Sequence, residues 1–118
     1  MEKFPNKYNL EERTAVYGEN IVSFCKSIKQ DTITKPIISQ LIRSGTSIGA
    51  NYCEANNASS KKDFRNKIFI CKKEAQETKY WLRIIAGCVT EGKDEIRKLW
   101  QETQELTMIF QKIISSSK

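Results

Sequence analysis

Four groups of residues in this 118-residue chain have types and spacings that could do chemistry: a stretch rich in glycine and hydroxyl groups, three glutamates, four cysteines and a periodic run of cations. The first, RSGTSIGANYCEA from Arg43 to Ala55, has the composition of a phosphate-cradling loop. A Walker-type loop, however, needs a lysine directly after its second glycine, and a dinucleotide fingerprint needs a strand before its glycines. Here Ala50 follows Gly49, and the preceding Ile37 to Ile42 fits a helical period. The glutamates Glu54, Glu74 and Glu77 could gather as a carboxylate cluster, but carboxylate di-metal bundles also need a Glu-x-x-His pattern. The chain has no histidine. Cys25, Cys53, Cys71 and Cys88 form no CxxC pair, so a zinc site would have to collect thiolates from four separate segments. They read better as small buried hydrophobes. With no activated nucleophile, metal constellation or cofactor motif, the expectation is a protein that is not an enzyme and holds no metal or cofactor.

The cations point elsewhere. The net charge is +6 and the pI near 9.2, which favours acidic partners, nucleic acid first among them. Lys61, Arg65, Lys72, Lys79 and Arg83 fall within a narrow arc of one helix, a stripe that would meet phosphates or else be an ordinary solvated face. No aromatic ladder interleaves these charges in sequence, so stacking and sequence-specific recognition are not indicated.

The elements that must position these residues are helices. Only two prolines and five glycines punctuate the chain, and 29% of its residues are charged. Asn9 with Glu12 reads as a capping box, followed by Leu10, Thr14, Tyr17, Ile21, Phe24 and Ile28 at alternating steps of four and three. Lys29 to Thr34 reads as a turn, with Thr34 as the next cap and Pro36 in the first helical turn. Ile38, Leu41, Gly45, Ile48, Tyr52 and Ala55 carry the period straight through the glycine-rich stretch. Ser60 with Asp63 is a second capping box, opening the most regular stripe: Phe64, Ile68, Cys71, Ala75, Thr78, Leu82 and Ile85. After a break at Gly87 to Lys93, the last stripe is Ile96, Leu99, Thr103, Leu106, Phe110 and Ile113, before a Ser-Ser-Ser-Lys tail expected to fray. The fold predicted is all-α: one domain over residues 1–118, an antiparallel up-down four-helix bundle with helices at about 9–29, 35–56, 61–87 and 93–114. No apolar run reaches the roughly 18 residues of a membrane span, and MEKFPNKYNLEER lacks the apolar core of a signal peptide. A cytoplasmic protein without membrane contact is expected.

Gly45 and Gly49 stand on one helical face, each costing roughly 1 kcal/mol against alanine in a helix interior. Close approach by a neighbouring helix would offset that, so the stretch is expected to be a thin helix. Its other side carries Arg43, Ser47, Ala50 and Glu54, either a solvated face or a polar seam against another helix. The third helix has a second apolar face in Ile70, Trp81, Ile84 and Cys88, bordered by Glu74 and Glu77, which could pair with Arg43 of another helix. A monomeric bundle needs one apolar stripe per helix. A second one suggests an oligomer interface, for which the candidates are Arg43, Ser47, Glu54, Ile70, Glu74, Glu77, Trp81 and Ile84.

The run QLIRSGTSIGANYCEA (Gln40 to Ala55), followed by DFRNKIFICKKEAQETKYWLRII (Asp63 to Ile85), resembles the four-helix-bundle family of 23S rRNA intervening-sequence proteins. The matching positions are Arg43, Ser47, Ile48, Asn51 and Glu54, then Lys73, Glu74, Ala75, Glu77, Thr78, Tyr80, Trp81 and Leu82. The resemblance covers nearly the whole chain and implies a cytoplasmic bacterial protein assembled as a ring-like homopentamer. Some members of the family are encoded inside insertions in 23S rRNA genes. A related branch, the accessory variability determinant of diversity-generating retroelements, binds nucleic acid and a reverse transcriptase. Two functions are therefore expected as alternatives: a non-catalytic oligomeric scaffold binding RNA or DNA, or a protein-interaction module serving a reverse transcriptase or another nucleic-acid enzyme.

Overall fold

The computed structural model describes residues 9–117, so the segment read above for a signal peptide falls mostly outside them. Four helices account for almost all of these residues: α1 (Leu10–Lys26), α2 (Thr34–Asn56), α3 (Lys61–Ala86) and α4 (Lys93–Ser116), and no strand occurs among them. Both capping boxes place their acceptors as expected. Asn9 Oδ1 accepts from Glu12 N at 3.2 Å, and Ser60 Oγ accepts from Asp63 N at 3.0 Å. The entry to α2 differs. Thr34 is its first residue rather than its cap, and Asp31 Oδ1 takes the free amides of Ile33 and Thr34 at 2.9 and 2.8 Å. Those two amides hold the Asp31 carboxyl below its ordinary pKa. Gly92, at φ +78°, leads into α4, a backbone setting that glycine adopts without strain.

Sequential helices run antiparallel. Gly45 and Gly49 of α2 face Ile21 and Thr14 of α1. Ser44 and Glu54 of α2 meet Thr78 and Lys67 of α3, while Arg65 and Lys79 of α3 meet Ile114 and Gln104 of α4. The periodic stripes converge on one apolar core in which Tyr17, Leu41, Ile48, Ile68, Leu82 and Phe110 are fully buried. The C-terminal end of α4 differs from expectation in two ways. The serine tail continues α4 through Ser116 instead of fraying, and the buried residue of its last turn is Ile114, with Ile113 only half-buried.

Three threonines sit in this core at stripe positions, and each returns its hydroxyl to the carbonyl four residues back. Thr14 bonds Leu10 O at 2.7 Å, Thr78 bonds Glu74 O at 2.7 Å and Thr103 bonds Leu99 O at 2.6 Å. Threonine is tolerated there because its only polar group is satisfied within its own helix. Two of the three also tie helices together: Thr78 is hydrogen-bonded to the Ser44 hydroxyl of α2 at 2.9 Å, and Thr103 to the Tyr17 phenol of α1. No buried side-chain nitrogen or oxygen among the described residues lacks a partner.

The glycines of α2 do what their spacing suggested. A Cβ on Gly45 would lie 3.0 Å from both Ile21 Cγ1 and Cγ2, and one on Gly49 would lie 3.2 Å from Thr14 Oγ1. Helix α1 contributes Gly18, which faces Thr46 and which the sequence reading did not single out. Stretch 43–55 is a thin helix, made so that α1 can approach its backbone.

The cysteines divide. Cys25 and Cys71 are buried, and desolvation pushes their thiols up to about 11 and about 12. Cys53 and Cys88 are exposed, which corrects the expectation of four buried hydrophobes. Cys53 lies on α2 off its core stripe, and Cys88 lies in the turn after α3. Titration of the folded protein with a thiol-specific disulfide reagent should therefore modify Cys53 readily, with Cys25 and Cys71 reacting only in denaturant. Rapid native labelling of Cys71 would contradict this core.

Candidate nucleic-acid interface

The five cations singled out from the sequence lie along the side of α3 that turns toward α4. Helix geometry explains the placement. They recur at steps of four and seven residues beside the core stripe, so they share one side of the helix, from which Arg65, Lys72 and Lys79 reach α4. Their partners are neutral. Lys72 Nζ donates to Gln111 Oε1 at 2.7 Å, Lys79 Nζ to Gln104 Oε1, and Arg65 Nε to the Ile114 carbonyl at 3.4 Å. Lys61 and Arg83 are exposed at the two ends. None of the five is paired with a carboxylate among the described residues. An amide oxygen orients an ammonium without cancelling its charge, so these side chains stay positive.

Four cations elsewhere among the described residues are paired with carboxylates. Arg13 of α1 donates to Glu102 at 2.7 Å and to Glu105 at 2.9 Å, closing the α1–α4 seam. Arg43 of α2 reaches Glu74 at 3.2 Å and Glu77 at 2.6 Å on α3, and Lys67 pairs with Glu54 at 2.9 Å. Arg97 pairs with Asp94 within α4. The carboxylates Glu54, Glu74 and Glu77 thus form no common cluster; each is bound to a cation across the α2–α3 seam. Glu77 also accepts from Trp81 Nε1 at 3.1 Å, and Arg43 first, then Trp81, holds its carboxyl below the usual range. This depressed pKa stabilises the seam above the unfolded carboxylate pKa and is lost as pH falls through the folded value.

Of the residues proposed from sequence for an oligomer interface, Arg43, Glu74, Glu77 and Trp81 form one intrachain network, and Ser47 Oγ donates to the Arg43 carbonyl at 2.6 Å. The polar side of α2 is therefore a seam against α3 at Arg43 and Glu54, while Ala50 is exposed at a groove beside α1. Ile70 is 36% exposed, Trp81 and Ile84 are half-buried, and Glu54 is exposed. Sequence reasoning missed the rings next to the cations. Arg65 Cζ lies 5.2 Å from the Phe69 ring centroid, and Lys79 Nζ lies 4.5 Å from that of Trp100. Phe69 was legible as an exposed neighbour of Arg65 four residues away. Trp100 belongs to α4 and becomes a neighbour only on folding.

An all-α protein of four antiparallel helices with a row of cations on α3 that no described carboxylate pairs is thus the class that fold and surface define. The family model for 23S rRNA-intervening sequence protein matches residues 8–112, and the chain belongs to that family. It is similar to the crystal structure of a protein of unknown function from the S23 ribosomal protein family of Bacteroides thetaiotaomicron. That match has 31% identity and a TM-score of 0.80, covering 90% of this chain and 98% of the other. No curated protein matches the sequence. No described helix is long and apolar enough to cross a membrane.

Proposed function

We propose that this protein is a non-catalytic, oligomeric nucleic-acid-binding scaffold that contacts phosphates through Lys61, Arg65, Lys72, Lys79 and Arg83. One observation carries the reading. Lys61, Arg65, Lys72, Lys79 and Arg83 form one row along α3 with no carboxylate partner among the described residues, and Arg65, Lys72 and Lys79 are held by carbonyl and amide oxygens of α4. Binding a labelled RNA and a labelled DNA, with Lys72→Glu plus Lys79→Glu as the comparison, tests it. Loss of affinity for both is expected, and equal binding by the two proteins would reduce the stripe to a solvated face.

Assembly as a homopentamer belongs to the same proposal. Ile70, Trp81 and Ile84 form an apolar strip on α3 away from the basic face, so a ring closed through this strip would leave the cations outside and repeat them fivefold. Repetition converts weak phosphate contacts into useful avidity. Light scattering on a sizing column should give about five times 13.6 kDa. Ile70→Glu should shift the mass toward monomer with helical content retained, because the new carboxylate would be buried without a partner only in the assembly. A wild-type monomer at micromolar concentration would overturn this part.

The alternative, a protein-interaction module attached to a reverse transcriptase or another nucleic-acid enzyme, is favoured by a different feature. An open groove of about 620 Å³ runs between α1 and α2, lined among others by Gly18, Val22, Thr46, Gly49, Ala50 and Cys53. A neighbouring reverse-transcriptase gene would favour this reading, and a gene within an rRNA operon the first.

A further inference from the structure

The rings that folding brings beside the cations narrow the ligand. We infer that the α3–α4 face takes single-stranded nucleic acid in preference to duplex, stacking unpaired bases on Trp100 and Phe69 between its phosphate contacts. The inference rests on the nucleic-acid reading above and adds the form of the strand.

Trp100 and Phe69 are 39% and 43% exposed, so each ring is open to a ligand in solution. Each carries a cation, Lys79 over Trp100 and Arg65 over Phe69, so each ring marks a place where a phosphate contact and a base contact can be made together. They are well separated. Phe69 precedes Lys79 by ten residues of α3, which places the two platforms on the order of 15 Å apart along the bundle, the reach of a few extended nucleotides. Between them stands Lys72, held by Gln111 and unpaired with any described carboxylate. A cationic track with separated aromatic platforms is the arrangement by which proteins hold single strands without reading sequence. Bases in a duplex are already stacked on each other and expose no face to such rings. Charge alone would favour the opposite preference, because duplex is the denser polyanion and gives the steeper counterion effect per contact. A preference for single strands therefore reports the rings and not the charge.

The test uses the full chain with a 12-nucleotide oligouridine RNA, an oligothymidine DNA of the same length and a 12-base-pair duplex, all at one salt concentration. Both single strands should bind at least about tenfold more tightly than the duplex, and about equally, since stacking uses the base face and ignores the 2′-hydroxyl. Trp100→Ala and Phe69→Ala should each weaken single-strand binding at least about fivefold, the low end of what one base–aromatic stack contributes. Duplex binding should stay within about twofold and the circular dichroism should be unchanged. Trp100→Phe, which keeps a ring, should restore most of the loss. Tryptophan emission should be quenched by the single strands in the wild type and much less in Trp100→Phe. Equal affinity for strands and duplex, indifferent to ring removal, overturns the stacking inference and leaves the phosphate reading standing. Failure to bind any of the three, or binding indifferent to Lys72→Glu with Lys79→Glu, overturns both.

Discussion

Replacing Gly45 with leucine should lower stability by about 2 kcal/mol, near the middle of the range for forcing extra atoms into a packed core. For a chain of this size that is a fall in Tm of roughly 10 °C. The cause is local and visible. A Cβ alone would already stand 3.0 Å from Ile21 Cγ1 and Cγ2, and Ile21 is itself completely buried, so it has no solvent side to turn toward. Leucine regains about 0.8 kcal/mol of helix propensity over glycine, and the net loss includes that gain. The effect should appear as a shift of the whole unfolding transition, because α1 and α2 share the core with α3 and α4. An unchanged Tm would mean that α1 does not approach α2 this closely.

The second large effect concerns the basic face. Changing Lys72 and Lys79 to glutamate removes two phosphate contacts per protomer, and each contributes a salt-dependent factor of roughly eight at 0.1 M monovalent salt. The double variant should therefore bind RNA and DNA on the order of fiftyfold more weakly, alike for different sequences. Stability should change little. Both lysines bond only glutamine amides on α4, and Lys79 its neighbouring indole, so no ion pair is broken. A variant that unfolds, or that loses affinity for one sequence and keeps it for another, would contradict the stripe as a sequence-blind phosphate track.

Much of this was readable before folding, for a physical reason. The helical stripes, both capping boxes and the thinness of stretch 43–55 depend on residues within a turn or two of each other, and such spacing is preserved in sequence. Arg65, Lys72 and Lys79 were legible as one arc on the same ground. What stayed hidden depends on pairs far apart in the chain. Tyr17 meets Thr103, and Arg13 meets Glu102, across 86 and 89 positions, and nothing in either segment announces the other. Trp100 escaped notice for the same reason. On α4 it is one exposed ring, and only the antiparallel pairing with α3 sets it under Lys79. Asp31 escaped at short range, because Thr34 offered an equally good capping hydroxyl and the backbone turned to use the carboxylate. The four cysteines show the limit of composition. Cys71 lies on a core stripe and Cys25 one turn after Ile21 of another, whereas Cys53 is off its stripe and Cys88 lies beyond the end of α3, so position predicts their burial better than residue type does.

The central claim is that the unpaired cations between α3 and α4 bind phosphates. The measurement that bears on it most directly is the dependence of nucleic-acid affinity on salt, for the wild type and for Lys72→Glu with Lys79→Glu. The logarithm of affinity should fall linearly with the logarithm of salt concentration, and the slope for the double variant should be shallower by about two for each protomer engaged. A wild-type slope near zero, or the same slope in both proteins, would contradict the account.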